Sequence, residues 1–362
     1  MVVLHVSKSR VYSGMENVAL SIITSMPEDI RGVFLTPTGS IETKLLEANV
    51  EYIGVDKVDE KAIKKAIEEV KPDIIQAYEY DCSLMCARVT DTIPIISQLY
   101  SSPKWVQKIG PKSITYGSFC KNFTKIIAPV ESIVKKAWFR DKIKDKAEIL
   151  GIPFDAKKIF EKGYIAGTEM SSDKLQNYKS DLLFVGHLTE DKNPYEFIRI
   201  VDEIKKTHFD VSAVMVGGGD LGSECLELIN RLGLQNNVRM VGMQYNPYIY
   251  MNQTKILVIP STFEGFGMAT LEAMTFGKPV FASCVGGLVL TVDDEVGKIC
   301  GTPKKPVDRE AFVSGITTLL DNQGLYQKKS EAARKRAKDM NTSQRYMKDM
   351  QRIYEDIYQT TK

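Results

Sequence analysis

Short β-branched runs alternate with amphipathic helical stretches along almost all of the 362-residue chain, in two successive series. That alternation implies parallel sheets with helices on both faces, an α/β class. In the first series the pattern predicts strands at 2–6, 32–35, 74–77, 93–98 and 125–128, and helices over 16–25, 62–71 and 131–140. The second series predicts strands at 182–185, 212–216, 238–241, 256–259 and 280–283. Several of these runs end in small or polar residues, where a doubly wound sheet places its ligand-facing loops.

A chain of this length is too long for one ordinary core and suits two α/β domains. A polar stretch at 163–179, containing Gly167 and Ser171-Ser172, lies between the two series and is the expected hinge. The expected organisation is an N-terminal Rossmann-like domain over 1–165 and a C-terminal Rossmann-like domain over 166–340. A tail over 341–362 follows, whose residues 342–358 read as a charged amphipathic helix packing back on the N-terminal domain. Two such domains joined by a hinge leave a cleft, a favoured place for a ligand.

Charge narrows the choice of partners. Lys and Arg total 48 against 46 Asp and Glu, a formal net charge of +2, without the positive excess of a dedicated nucleic-acid binder. The distribution is less even: residues 104–146 hold eleven Lys or Arg and only Glu131, Asp141 and Asp145 as acids. Trp105, Phe119, Phe123, Trp138 and Phe139 are interleaved with these charges. Such a stretch suits peripheral contact with an anionic membrane, or it is a solvated face whose aromatics pack inward.

The six cysteines are scattered, and Cys82 and Cys86 have no second pair or nearby His to complete a zinc site. The opening MVVLHVSKSR lacks a signal peptide's apolar core, and no run approaches the ~20 apolar residues of a spanning helix. The expected location is cytoplasmic, with or without attachment at the inner face of the cell membrane.

Residues 256–277, ILVIPSTFEGFGMATLEAMTFG, carry the most chemistry. A buried strand ends before Pro260, a loop presents Glu264-Gly265-Phe266-Gly267, and a helix opens near Met268 with Gly277 at its end. The glycines let backbone approach a ligand closely, and amides at a helix start attract phosphate. Glu272 lies one turn into the helix and leans back towards its start. A carboxylate there is a poor phosphate partner but a good bidentate acceptor for ribose or sugar hydroxyls.

Glu264, seven residues, then Glu272 resembles the E-x7-E signature of retaining GT-B glycosyltransferases of family 4, the glycosyl transferases group 1 type. The resemblance implies that Glu264 and the amides of Gly265, Phe266, Gly267 and Met268 contact the donor sugar and pyrophosphate, and that Glu272 binds the nucleotide's ribose. Residues 182–193, LLFVGHLTEDKN, resemble the family's strand ending in Gly-Arg with a Lys beyond. Gly186 and Lys192 match, and the Lys192 ammonium is then expected to neutralise the leaving pyrophosphate. His187 replaces the Arg: it either donates one hydrogen bond to phosphate or is an ordinary polar loop residue. Residues 214–219, VMVGGG, resemble the nucleotide-side loop and bring in Gly218, and 285–287 resemble a small-residue loop beside the donor.

In the first half the likeness is partial. Residues 11–17, VYSGMEN, resemble a Gly-rich loop on the acceptor side, through Ser13, Gly14 and Glu16, with one glycine where the family has two. They also read as a plain strand-to-helix loop. The family's His near the reacting sugar is missing, with Tyr100 or Ser97 in its place and Tyr78 at the preceding strand end.

The resemblance implies a retaining hexosyl transfer from a nucleotide diphosphate sugar, UDP-sugar favoured, to a glycan or lipid-linked acceptor in cell-surface polysaccharide or glycolipid synthesis. No Asp-x-Asp cluster stands in a suitable loop, so neither a metal nor another cofactor is expected. A catalytically silent partner subunit on the same fold and a sugar-nucleotide epimerase are the alternatives.

Overall fold

A computed structural model describes residues 1–10, 14–168, 175–340 and 342–361, which form two compact units. Unit 1 comprises Met1–Pro153 and Thr342–Lys362, and unit 2 comprises Phe154–Asn341.

Unit 1 carries strands β1 (Val2–Val6), β2 (Arg31–Pro37), β3 (Glu51–Val55), β4 (Ile74–Tyr78), β5 (Ile95–Gln98), β6 (Phe123–Ala128) and β7 (Ala147–Ile149). They form one parallel sheet in the order β3-β2-β1-β4-β5-β6-β7, so the chain reverses its direction of winding between β1 and β4. Both are central strands covered on both faces, which is why they read as largely apolar runs, with His5 and Gln76 the buried exceptions. The helix Ser343–Thr361 covers one face, laying Tyr346, Met350, Ile353, Tyr354 and Ile357 against Val3, Ile74, Ile96 and Ile127. Those positions recur at helical spacing and make one apolar stripe. The tyrosines also satisfy polar groups of the sheet: Tyr354 donates to Gln76 Oε1, and Gln98 Nε2 donates to the Tyr346 hydroxyl at 2.6 Å.

Unit 2 carries β8 (Ser180–Val185), β9 (Ala213–Val216), β10 (Val238–Met240), β11 (Thr254–Ile259), β12 (Val280–Ala282) and β13 (Gly297–Ile299), all parallel, in the order β10-β9-β8-β11-β12-β13. Alternate side chains enter two core layers, Leu182, Phe184, Ile256 and Val258 on one face, Leu183, Leu257 and Ile259 on the other. The winding reverses between β8 and β11.

The structure departs from the sequence expectations in three places. The division expected at 165 falls inside the helix Ala156–Thr168, which belongs to unit 2 because Phe160 stacks on Phe276, ring centroids 6.0 Å apart. The division lies at Pro153, and Ser171-Ser172 of the expected hinge lie outside the described residues. The helix expected over 131–140 is two pieces, Glu131–Lys135 and Arg140–Ile143, because the Trp138 amide donates to the Val106 carbonyl (2.8 Å) instead of continuing the helix. Strands β3, β7 and β13 and several helices, among them Glu79–Val89, Pro111–Phe119, Pro194–Lys205 and Gln323–Asp339, lie outside the predicted set.

Candidate active site

The E-x7-E segment folds as a strand, a loop and a helix: β11, residues 260–267, and Met268–Thr275. It therefore sits at the carboxyl end of β11, at the point where the unit 2 sheet reverses its winding, the place where open α/β sheets bind ligands. The amides of Gly265, Phe266 and Gly267 donate to no other backbone group of the described chain, so three donors stand at the start of the helix that Met268 opens.

The loop after the neighbouring β8 is tied to this one. Thr262 N donates to Asp191 O (2.8 Å), and Asn193 Nδ2 donates to Pro260 O (3.1 Å). That tie brings Lys192 Nζ to 2.7 Å from Glu264 Oε2, with both side chains mostly buried, and Ser261 Oγ donates to the same oxygen at 3.4 Å. Residues assigned separately to pyrophosphate and to sugar are thus paired with each other. His187, two residues past β8, is exposed and makes no side-chain hydrogen bond among the described residues, while Gly186 lies against the Lys192 stem.

Glu272 is half-buried one turn into the helix, and the Tyr248 hydroxyl donates to its Oε1 at 3.3 Å. Burial pushes its carboxyl up from the ordinary 4.5 to about 7, against the Tyr248 hydrogen bond and the positive charge of Lys162. It is an acceptor poised between its protonated and ionised forms at neutral pH.

Three glycines fix the shape of this floor. Gly286, at φ +53, presses its backbone so close to the Glu264 carbonyl that a Cβ would lie 1.6 Å from that oxygen. In the 217–219 triplet the requirement falls on Gly217 and Gly219, where a Cβ would lie 1.8 Å from the Gly186 carbonyl oxygen and 2.6 Å from that of Leu188. Gly218, the residue singled out from the sequence, has nothing within 4 Å.

The acceptor-side residues are less accessible than the sequence suggested. Glu16 is fully buried and receives a hydrogen bond from Ser7 Oγ (3.2 Å), Gly14 opens the helix Gly14–Ser25, and Ser13 lies outside the described residues. Ser97 is buried between the hydroxyls of Ser83 (2.7 Å) and Tyr116 (3.0 Å), and the Tyr100 hydroxyl accepts from Gln98. Tyr78 meets Nδ1 of the wholly buried His5 at 2.9 Å, and burial pushes that imidazole down to about 3, so it is neutral.

Sequence reasoning missed a pocket of about 540 Å³ in unit 1, at the carboxyl ends of β1, β4 and β5. Lys8, Glu79, Asp81, Ser101, Trp105 and Lys112 all line it. The available signal was the run YEYD, which begins on the last residue of a wholly buried strand and sets two carboxylates at a helix start. Among the described residues, no group of three or more His, Cys, Asp or Glu is placed to hold a metal ion, and no helix is long and apolar enough to cross a membrane.

Residues 168–336 match the family described as glycosyl transferases group 1. Among curated proteins, an uncharacterized glycosyltransferase of Methanocaldococcus jannaschii is 25% identical over 238 residues, 61% of this chain and 58% of that one. The Campylobacter jejuni N-acetylgalactosamine-N,N'-diacetylbacillosaminyl-diphospho-undecaprenol 4-alpha-N-acetylgalactosaminyltransferase is 32% identical over 160 residues, 43% of this chain and 42% of that one. The matches to the first relatives span between 38% and 58% of the relatives' own length. Among solved structures, Anabaena HepE in complex with UDP and glucose superposes with a TM-score of 0.84 at 17% identity, over 98% of this chain and 100% of that one. WaaG, a glycosyltransferase involved in lipopolysaccharide biosynthesis, superposes with a TM-score of 0.73 at 15% identity, over 98% and 99%. The second unit thus carries the match to the glycosyl transferases group 1 family, and the two parallel-sheet units are those of the GT-B fold.

Proposed function

We propose that this protein transfers a hexosyl group, with retention and without a metal, from a nucleotide diphosphate sugar to a glycan or lipid-linked acceptor. The observation that carries the reading is the Lys192–Glu264 pair beside three unengaged amides, with the half-buried Glu272 one helical turn on. A cation and fixed N–H dipoles suit a pyrophosphate, whose charge grows as the glycosidic bond breaks. Glu264 would orient sugar hydroxyls, Glu272 would hold the ribose, and His187 would add one hydrogen bond to phosphate.

In the proposed step the acceptor hydroxyl bonds to the anomeric carbon on the face that the leaving pyrophosphate vacates. The carbon–oxygen bond to the β-phosphate breaks, and the freed phosphate oxygen takes the hydroxyl proton. No separate carboxylate base is needed, unlike the paired carboxylates of glycosidases.

UDP is the favoured nucleotide, and the HepE complex with UDP and glucose supports it. The Campylobacter enzyme, named for a diphospho-undecaprenol acceptor, supports a lipid-linked acceptor in cell-surface glycan synthesis. Peripheral contact with anionic membrane through residues 104–146 fits that acceptor. Phe123 and Phe139 pack inward, but Ile109 and Ile114 are 69% and 51% exposed among the lysines. Sedimentation with anionic liposomes at low salt, lost at high salt and in Ile109→Glu/Ile114→Glu, is the expected result. Binding that ignores salt sinks this part.

The donor reading is tested by thermal shift with UDP, GDP, ADP, CMP and their sugars. A ligand at ~100 times its Kd stabilises the fold by about 2.7 kcal/mol. One nucleoside diphosphate should shift the wild type and neither Glu272→Ala nor Lys192→Ala. No shift with any of them overturns the reading. Product anomers followed by NMR, with EDTA present, test retention and metal independence.

A further inference from the structure

The helix that Met268 opens has three unengaged amides at its start, and its other end meets a cluster that the proposed transfer does not use. The helix stops at Thr275, and Gly277, at φ +69, turns the chain towards β12. The basic helix Gln323–Asp339 packs over that turn. Its Tyr326, Ser330 and Arg334 recur every fourth residue and so share one face. A Cβ on Gly277 would lie 2.7 Å from Arg334 Nε and 2.8 Å from Ser330 Oγ, so both groups meet over this glycine.

Other cations of the basic helix have partners. Lys329 Nζ donates to the Gly297 carbonyl (3.1 Å), Lys335 pairs with Asp339 (2.8 Å) and Arg336 with Asp293 (2.7 Å). Arg334 differs: among the described residues its guanidinium makes no hydrogen bond and no ion pair. The ammonium of the half-buried Lys278 makes none either. Burial pushes the Lys278 amine from the ordinary 10.5 down to about 8, and the positive charge of Arg334 acts in the same direction. Ser330 is 7% exposed, and its hydroxyl has no hydrogen-bond partner among the described residues.

The carbonyls at a helix end attract cations, which accounts for one exposed charge there but not for two adjacent ones, one of them half-buried. Like charges without a counter-charge, beside an unpartnered hydroxyl, carry a cost that an anion between them removes. A guanidinium, an ammonium and a hydroxyl can all donate to one tetrahedral oxyanion, whose oxygens accept from each. The nearby acid Asp181 does not fill that role. It is held at 2.7 Å by Lys255, whose carbonyl accepts from Tyr326 (3.1 Å).

We propose that Arg334, Lys278 and Ser330 bind a phosphate group, inorganic or esterified, at the amino ends of β11 and β12, the opposite end of these strands from the Glu264 loop. The site stands whatever that loop binds.

Calorimetry on the full chain tests it, with inorganic phosphate and glycerol phosphate as probes and chloride holding the ionic strength constant. A Lys192→Ala background weakens anion binding beside Glu264. One saturable event should remain, weakened ten-fold or more by Lys278→Met and by Arg334→Gln. Lys328→Gln, on another face of the same helix, should leave it unchanged. Tighter binding of glycerol phosphate identifies an esterified ligand, and tighter binding of inorganic phosphate identifies the free ion. Lys278→Met exchanges an unpaired ammonium for an apolar chain of similar length, so in chloride its Tm should equal or exceed that of its parent. Added phosphate should raise the parent's Tm more than that of Lys278→Met. The proposal falls if no saturable event depends on Lys278 or Arg334, or if Lys328→Gln weakens binding as much as they do. It falls equally if phosphate stabilises Lys278→Met as fully as its parent.

Discussion

Lys192 and Glu264, 72 residues apart in sequence, meet at 2.7 Å because two loops at the reversal point of the unit 2 sheet are tied by backbone hydrogen bonds. The pair holds a cation in place, and a pyrophosphate would offer that cation a second anionic partner. Lys192→Ala should lower transfer by ~100- to 1,000-fold, as loss of one charge-stabilising donor does elsewhere. Glu264→Gln should lower it as well. The double variant should be less impaired than the product of the two, since each single change already disables the shared unit. Denaturation midpoints should fall too, because each single change leaves the other charge mostly buried without its partner, so transfer is compared at a temperature where every variant is folded. Strictly multiplicative rates would show that the two residues act independently.

Nucleotide affinity should rise with pH through about 7, the value to which burial pushes the Glu272 carboxyl. Ribose hydroxyls donate to the ionised form, which predominates above that pH. Calorimetry from pH 6 to 8 should show the rise in wild type and a flat profile in Glu272→Gln. Tyr248→Phe removes a hydrogen bond that favours ionisation, so its profile should move to higher pH. Stability takes the opposite sign. Between 4.5 and about 7 the folded protein holds a proton that the unfolded chain has released, so this group's contribution falls as pH rises through that window. Glu79, also pushed up to about 7 by burial against its hydrogen bonds from Ser101 and Tyr100, acts in the same direction.

What the sequence made legible follows from how locally each feature is encoded. Strands β1, β4, β8 and β11 are central and buried on both faces, so their apolar runs stand out. The strands β3 and β7 are at sheet edges with charged residues, and β13 is a three-residue edge strand; their pairing comes from neighbours rather than from their own pattern. The strand–loop–helix around Glu264 and Glu272 is continuous in sequence and could be read directly. The Lys192–Glu264 contact, the burial of Glu16 and the pocket at Glu79 depend on loops brought together by sheet order, which no local spacing reveals.

Gly286→Ala should damage both fold and site. A Cβ at φ +53 would sit 1.6 Å from the Glu264 carbonyl, so the loop bearing Glu264 must move away from Lys192. The strain and overpacking together should cost about 1–3 kcal/mol, seen as a lower Tm, with transfer falling further than the Tm change explains. Gly218→Ala is the contrast: with nothing within 4 Å it should keep the wild-type Tm, so any loss of nucleotide affinity reports contact with the ligand. A wild-type Tm for Gly286→Ala would contradict the loop packing described here.

The helix Ser343–Thr361 should be required for unit 1 to fold, although it follows all of unit 2 in the chain. Ending the chain at residue 342 would expose Val3, Ile74, Ile96 and Ile127 and strip the buried glutamines of their tyrosine partners. Both tryptophans, Trp105 and Trp138, lie in unit 1, so tryptophan fluorescence follows that unit alone during urea unfolding. The two tyrosines should differ. Tyr354→Phe leaves the Gln76 carbonyl oxygen buried without its donor, a loss of about 1–3 kcal/mol. Tyr346→Phe leaves Gln98 Nε2 still donating to Tyr100, so its cost should stay near 1 kcal/mol. Equal losses, or a truncated chain with an unchanged unit 1 transition, would show that the helix covers the sheet without stabilising it.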